Sequence, residues 1–265
     1  VAMASPYETL EIERSGRVAT LWMNRPDVFN AFNEQLIAEL HQACTELDAD
    51  AGVRVVVLAG RGKHFSAGAD LNWMKRASAY GEAENMAAAR RFAGMLRALS
   101  DMNKPTIARI QGAALGGGTG LAAACDMAVA ADNASFSTSE VKFGIIPAVI
   151  SPYVLRAIGP RHALRLFQSA ERISAARALE MGLVGEVVPL DALDAAVAAL
   201  AESLVSGAPQ AQKAAKDLIA AVHGQPIDEI ISEETAQRIA RQRATDEAKD
   251  GIAAFLEKRQ PAWLL

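Results

Sequence analysis

Cysteine, histidine and aromatic residues are scarce in this chain, and each scarcity removes a class of function. Only two cysteines, Cys44 and Cys125, occur in 265 residues. They share no ligand-like spacing, so they read as two small buried side chains in a reducing compartment, not as a disulfide framework. The four histidines, His41, His64, His162 and His223, form no HExxH or Cys/His pattern, and no metal is expected. Aromatic residues make up 5% of the chain, too few for the stacking platforms of a single-strand binder. A formal net charge of −4 gives no electrostatic attraction to nucleic acid or to an anionic membrane. No apolar run reaches the roughly 18 residues of a membrane span. The opening VAMASPYETL has neither the basic nor the apolar region of a signal peptide, so a cytoplasmic location is expected.

What remains is a chain that is 51% hydrophobic and 22% charged, ordinary for a globular protein able to bury a sizeable core. Short β-rich runs alternate with helical patterns through its first three quarters. Residues 7–13 and 17–23 predict a hairpin across Arg14-Ser15-Gly16. Asn33 is placed to cap a helix to Ala49 with Leu36, Ile37, Leu40, Cys44 and Leu47 on one face. VRVVVLAG (53–60) is a continuous apolar run, as expected of a strand covered on both faces. A helix is predicted over 82–101 with Met86, Phe92, Leu96 and Leu99 inward, then strands over 104–112 and 127–131. Beyond Pro160 the pattern is helical over 160–169, 174–181 and 191–206, followed by a highly charged tail from Pro209. Strand, loop and helix in repetition predict an α/β fold, with ligands at the C-terminal ends of the strands. The expected organisation is a core of residues 1–205 and a C-terminal helical lobe of residues 206–265. A helix as polar as that tail needs a partner surface, so the lobe is expected at a subunit or domain contact.

Two loops fall at strand ends: GRGKHFSAGADL (60–71) and GAALGGGTGL (112–121). The second contains no acid, base or nucleophile, so chemistry there must come from backbone groups or from elsewhere. Amides at the start of a helix lack intrahelical partners. If Ala69 and Gly117 turn theirs toward one point, they make a two-donor oxyanion hole. Such donors lower a barrier by roughly 3–4 kcal/mol each where charge develops on a carbonyl oxygen. Either loop alone is better explained as a turn that needs positive φ.

The context of the loops adds a resemblance. MNRPDVFNAFN (23–33), RGKHFSAGADLNWM (61–74), the stretch from IQGAALGGGTG to SEVKFGIIP (110–147), ERISAARALEMGLVGEVV (171–188) and DGIAAFLEKRQPAW (250–263) resemble the enoyl-CoA hydratase/isomerase family, the crotonase superfamily, in order and over nearly the whole length. That resemblance implies a crotonase-like spiral of ββα units with a C-terminal helical lobe, assembled as a homotrimer or a hexamer made of two trimers. It implies an acyl-CoA thioester as substrate, with coenzyme A part of the substrate and no separate cofactor. By matching position, Ala69 and Gly117 supply the oxyanion amides. Ala67, Gly68, Asp70, Leu71, Asn72, Gly116 and Gly120 line the substrate, with the Ala67 region meeting the adenine.

Hydratases of the family commonly use two glutamates. Here the second matches Glu140, and the first is Gly120, a departure. That match implies Glu140 as general acid/base, and efficient catalysis would need its pKa raised by an apolar surround of Phe143, Ile145 and Ile146. Three readings follow: a hydratase using Glu140 for both proton steps, with Ser137, Thr138 or Ser139 orienting water; an isomerase shuttling one proton; or a weakly active acyl-CoA-binding homologue. SAGADLNWMKR and GIIPAVISPYVLRAIG are similar to bacterial hydratases of the methylglutaconyl-CoA type. Lys75, Arg76 or Lys142 would be candidates to pair with that substrate's second carboxylate, and Trp73 and Met74 to line the acyl pocket. Asp126 reads as a structural tie. A dinucleotide site is the competing motif, since Gly118-x-Gly120-x-x-Ala123 precedes Glu140 by about twenty residues. It starts mid-chain, however, without a doubly wound second half. No Walker lysine and no G-x-S-x-G elbow is present.

Overall fold

The structure is a computed structural model and describes residues 6–265; the VAMAS segment of the signal-peptide reading lies outside them. Strands β1 (Leu10–Ser15) and β2 (Val18–Met23) form the expected hairpin, in register Leu10 to Met23 and Ser15 to Val18. Helix α1 (Glu34–Ala49) starts where Asn33 predicts, the Asn33 side chain accepting the Leu36 N–H at 2.9 Å. Strand β3 (Val55–Gly60) then lies parallel to β2 with all six residues buried. Its continuous apolar run has a simple cause: Val56 and Leu58 face one hydrophobic cluster and Val55 and Val57 the other.

The chain next forms α2 (Leu71–Ala77), α3 (Glu82–Ser100), β4 (Thr106–Ile110), β5 (Ala113–Leu115), α4 (Gly117–Ala124), β6 (Met127–Ala131) and β7 (Ser135–Ser137). In α3, Leu96 and Leu99 are buried and Phe92 packs against the core, but Met86 is exposed. The N-terminal turns of that helix extend beyond the body they were expected to cover. Helix α5 (Ser151–Ser169) is broken at Gly159 (φ 72°), so the helix expected from Pro160 is the second half of a kinked pair. Strand β8 (Ile173–Ser174), α6 (Ala175–Met181), β9 (Glu186–Val188) and α7 (Leu193–Ser206) follow.

These strands make two sheets. The larger has the order β1-β2-β3-β4-β6-β9, parallel except for its first hairpin, and the smaller has the order β5-β7-β8. One face of the large sheet packs on α1, α3 and α4 through residues such as Leu21, Leu58, Leu36 and Leu96. Helix α7 covers the other with Leu193, Val197 and Ala201. Both cysteines are buried, and burial pushes the Cys44 thiol up to about 12.

Helices α8 (Pro209–Val222), α9 (Glu229–Arg243) and α10 (Asp246–Glu257) end the chain. Ala254 is their sole fully buried side chain among the described residues. Polar contacts tie this segment to the body: Lys216 bridges Asp126 at 2.8 Å, and Arg54 donates to the Gly207 carbonyl at 2.6 Å. Asp126 also accepts the Thr106 N–H, which makes it the structural tie expected of it. No helix is long and apolar enough to cross a membrane among the described residues.

Candidate active site

The two loops meet at the junction between the large and small sheets. Residues 65–66 run alongside β5: Phe65 N–H donates to Gln111 O at 2.9 Å, Ser66 N–H to Ala113 O at 3.1 Å, and Leu115 N–H to Ser66 O at 2.9 Å. This ladder places Gly68 against Gly116. Gly116 itself has a left-handed φ of 52° as the residue before α4, a conformation that favours glycine. A β-carbon there would stand 3.2 Å from Glu140 Oε1 and 4.0 Å from the Gly68 α-carbon. Gly68, Gly116 and the Glu140 carboxyl therefore surround one place.

Two amides adjoin it. Neither the Ala69 nor the Gly117 N–H donates to any acceptor among the described residues, although their neighbours do: Asp70 N–H bonds Phe32 O and Gly116 N–H bonds Ser137 O. Gly117 opens α4, so its amide is free for the reason all first-turn amides are. Ala69 lies on the exposed lip of its loop, and Gly117 is buried.

Glu140 begins a short 3-10 turn that ends at Gly144. Its carboxyl is largely buried, and Oε2 has no hydrogen-bond partner among the described residues. Desolvation holds its pKa above the ordinary glutamate range, opposed only by a hydrogen bond from its own backbone amide. The expected apolar surround is not its source. Phe143, Ile145 and Ile146 are all exposed, Ile146 by 71%, because the left-handed Gly144 turns that segment outward. On one side the carboxyl lies against Gly116 of the glycine loop.

Gly120 is buried inside α4 and offers no surface to a ligand. A β-carbon there would lie 2.2 Å from Ile150 Cγ2 and 2.8 Å from Ile150 Cβ. The space that a side chain at 120 would enter is filled by an isoleucine thirty positions away in the sequence. Asp70 is likewise committed to the fold. It caps α2 by accepting the Asn72 and Trp73 N–H groups and pairs with Arg25 at 3.0 Å. Burial pushes its pKa up, but the Trp73 amide, Arg25 and the Asn72 amide outweigh that, and its carboxyl stays below the usual aspartate range. Asp70→Ala is expected to destabilise the protein by about 2 kcal/mol, a lost cap plus the lost ion pair with Arg25, read as a lower urea midpoint. An unchanged midpoint would show the loop is held without it.

Other candidates separate in the same way. Ser137 and Thr138 are buried and donate to the Ala170 and Leu166 carbonyls, so neither orients water; Ser139 has no such bond. Arg76 is paired with Glu34 at 2.7 Å, while Lys75 and Lys142 are exposed. Leu71 and Asn72 are exposed and Ala67 is half-buried. Trp73 packs on the core with its indole N–H buried and unpartnered. No group of three or more His, Cys, Asp or Glu side chains arranged to hold a metal occurs among the described residues. Hollows of about 380 Å³ between α8 and α9 and about 340 Å³ beside Trp22 and Arg109 are lined by neither Ala69, Gly117 nor Glu140.

Comparison with known proteins assigns this α/β fold to one class of enzyme. The sequence model of the enoyl-CoA hydratase/isomerase family matches residues 13–264. A crotonyl-CoA hydratase from Syntrophomonas wolfei is 36% identical, over 96% of this chain and 97% of its own length. A short-chain-enoyl-CoA hydratase from Clostridium acetobutylicum is also 36% identical, over 94% and 95% of the two chains. The crystal structure of an enoyl-CoA hydratase from Shewanella pealeana superposes with a TM-score of 0.94 at 40% identity, covering 97% of each chain. The chain belongs to the enoyl-CoA hydratase/isomerase family and is an enzyme of it.

Proposed function

We propose that this enzyme adds water across the α,β double bond of an enoyl-CoA thioester, with Glu140 as the single carboxylate of the reaction. The observation that carries this reading is the Glu140 carboxyl, desolvated and with Oε2 unpartnered among the described residues, set against Gly116 at the place where the two glycine loops meet. The thioester oxygen sits between the Ala69 and Gly117 N–H groups, which stabilise the negative charge that builds on it. Glu140 takes a proton from water as the water oxygen bonds Cβ, and returns that proton to Cα as the enolate collapses. Electrons balance without any redox partner, so coenzyme A enters only as part of the substrate. Ser139 is the hydroxyl of its segment left to hold the water.

The substrate proposed is a branched enoyl thioester of the 3-methylglutaconyl-CoA type, on the strength of the sequence motifs around Trp73 and Ile150. Exposed Lys75 and Lys142 are the cations left to meet its second carboxylate. The absorbance of the conjugated enoyl thioester should fall faster with 3-methylglutaconyl-CoA than with crotonyl-CoA; equal or reversed rates would remove the branched assignment. One carboxylate also suffices for an isomerase, which needs no water. In that case a 3-enoyl-CoA would gain the absorbance instead.

A homotrimer or hexamer is proposed as the working form. Ile230, Phe255 and Leu265 of the C-terminal segment are each at least 80% exposed in the single chain, more apolar surface than an isolated helical lobe leaves open. Light scattering should return three or six chain masses. A monomer at micromolar concentration would contradict it.

A further inference from the structure

The ladder joining the two amide loops has one rung that is not backbone to backbone. The Ala113 N–H, first donor of β5, is accepted by His64 Nδ1 at 3.0 Å. The approach is close: a β-carbon on the adjacent Gly112 would stand 2.6 Å from that nitrogen and 2.2 Å from the Lys63 carbonyl. The rung sits at the root of both loops, five residues before Ala69 and four before Gly117. The imidazole itself is held from the other side. Its ring meets Phe29 edge-on at 4.9 Å, and the His64 carbonyl accepts the Asn30 amide at 2.9 Å. Phe29 in turn accepts the Ala67 N–H, so the same contacts reach the far end of the loop.

An imidazole nitrogen accepts only when it carries no proton. We propose that neutral His64 is a positioning residue for the oxyanion hole, clamping the 60–70 loop onto β5 so that the Ala69 and Gly117 amides face one point, and that a proton on Nδ1 releases the clamp. Protonation would set two N–H groups head to head, with Ala113 buried. The surroundings favour the neutral form. Burial first, then the cations Lys63 and Arg172, hold the His64 pKa below the usual histidine value. Lys63 is on its own loop, and Arg172 precedes β8 and donates to Ser135 of β7. Phe29, Asn30 and the Gly112–Ala113 backbone, which pack on the ring, do not titrate.

The catalytic half of the inference rests on the proposed oxyanion hole; the hydrogen bond and its titration do not. The first arm is therefore an amide titration by NMR on the intact protein. The Ala113 amide should shift with the His64 ionisation, and that shift should vanish in His64→Asn, whose side-chain oxygen can take the place of Nδ1. A flat Ala113 amide across the His64 titration overturns the proposal whether or not the enzyme turns over.

The second arm is kinetic, with the enoyl thioester that the wild type hydrates. Misplaced donors cost on the order of 10-fold to 10²-fold in rate, so His64→Leu should lower kcat by that factor with little change in KM. His64→Asn should restore kcat to within about threefold and lose the acid limb that belongs to His64. A leucine variant with wild-type kcat, or an asparagine variant as slow as the leucine one, would contradict the positioning role. If the wild type hydrates nothing, the proposed reaction fails while the amide titration still decides the clamp.

Discussion

Glu140→Gln is expected to lower kcat by about 10²–10⁴-fold, the usual worth of a positioned acid/base, with KM for the thioester changed little. Glutamine keeps the shape and burial of the side chain, so the amides and the thioester subsite should survive intact. The pH profile carries a second signature. The carboxyl must be ionised to take a proton from water, and its burial displaces its pKa upward. The acid limb of kcat/KM should therefore lie above the ordinary glutamate range and disappear in the glutamine variant. Stability should move the other way. A group whose pKa is higher folded than unfolded supports the native state fully only below its unfolded pKa, and that support is lost as pH rises through the folded value. Against Glu140→Gln, the wild type should thus lose relative stability between mildly acidic and neutral pH. A variant that is less active but more resistant to urea at neutral pH is the combined result; loss of both would mark Glu140 as structural.

Gly120→Ala is expected to reverse the sign that helix propensity predicts. Alanine stabilises an ordinary helix interior over glycine by up to about 1 kcal/mol. Here the added methyl would meet Ile150 Cγ2 at 2.2 Å, and overpacking of that kind costs about 1–3 kcal/mol. Gly120→Glu should be worse, because it also buries a carboxylate with nothing to pair it. Neither variant should gain activity. Ile150→Ala opens the space and should recover part of the loss in the double variants, a coupling of about 1–2 kcal/mol between residues in direct contact. If Gly120→Glu is as stable as the wild type, the position is open to the cleft and Ile150 is not what keeps the site to one carboxylate.

This last pair also marks where the sequence stops being legible. The β1–β2 hairpin, the Asn33 cap, the doubly buried β3 run and strand β6 all follow from local patterns of period 2 or 3.6, and the structure reproduces them. Strands β5, β7, β8 and β9 span three residues or fewer. So short a run has no period, and these strands exist because the spiral brings them together. By resemblance the glycine triplet brings a backbone amide to the substrate. Its Gly117 and Gly118 are equally required by close packing: β-carbons there would meet Phe92 and Phe32 side chains within 2.8 Å and the Ser66 carbonyl at 2.5 Å. Departure from the family pattern at Gly120 was visible in the sequence, but its partner was not, because Ile150 belongs to another helix start. In the sequence, His64 shows only the absence of a metal-ligand pattern. A histidine that only accepts a backbone amide leaves no spacing signature, though its place directly before the FSAGAD loop was a usable sign.

Glu140 is legible in the sequence only through resemblance, and the structure supplies a physical reason for it: a desolvated carboxyl whose Oε2 has no partner among the described residues and whose Oε1 lies against Gly116, where a side chain would crowd it. The proposed reaction requires that one carboxyl to move one proton from water to carbon. The most direct measurement is the product formed from 3-methylglutaconyl-CoA in ¹⁸O-labelled heavy water, analysed by mass spectrometry and NMR. The prediction is one labelled hydroxyl on Cβ and one deuterium on Cα, formed by the wild type and not by Glu140→Gln. A product isomeric with the substrate and free of ¹⁸O, or equal labelling by the glutamine variant, would contradict it.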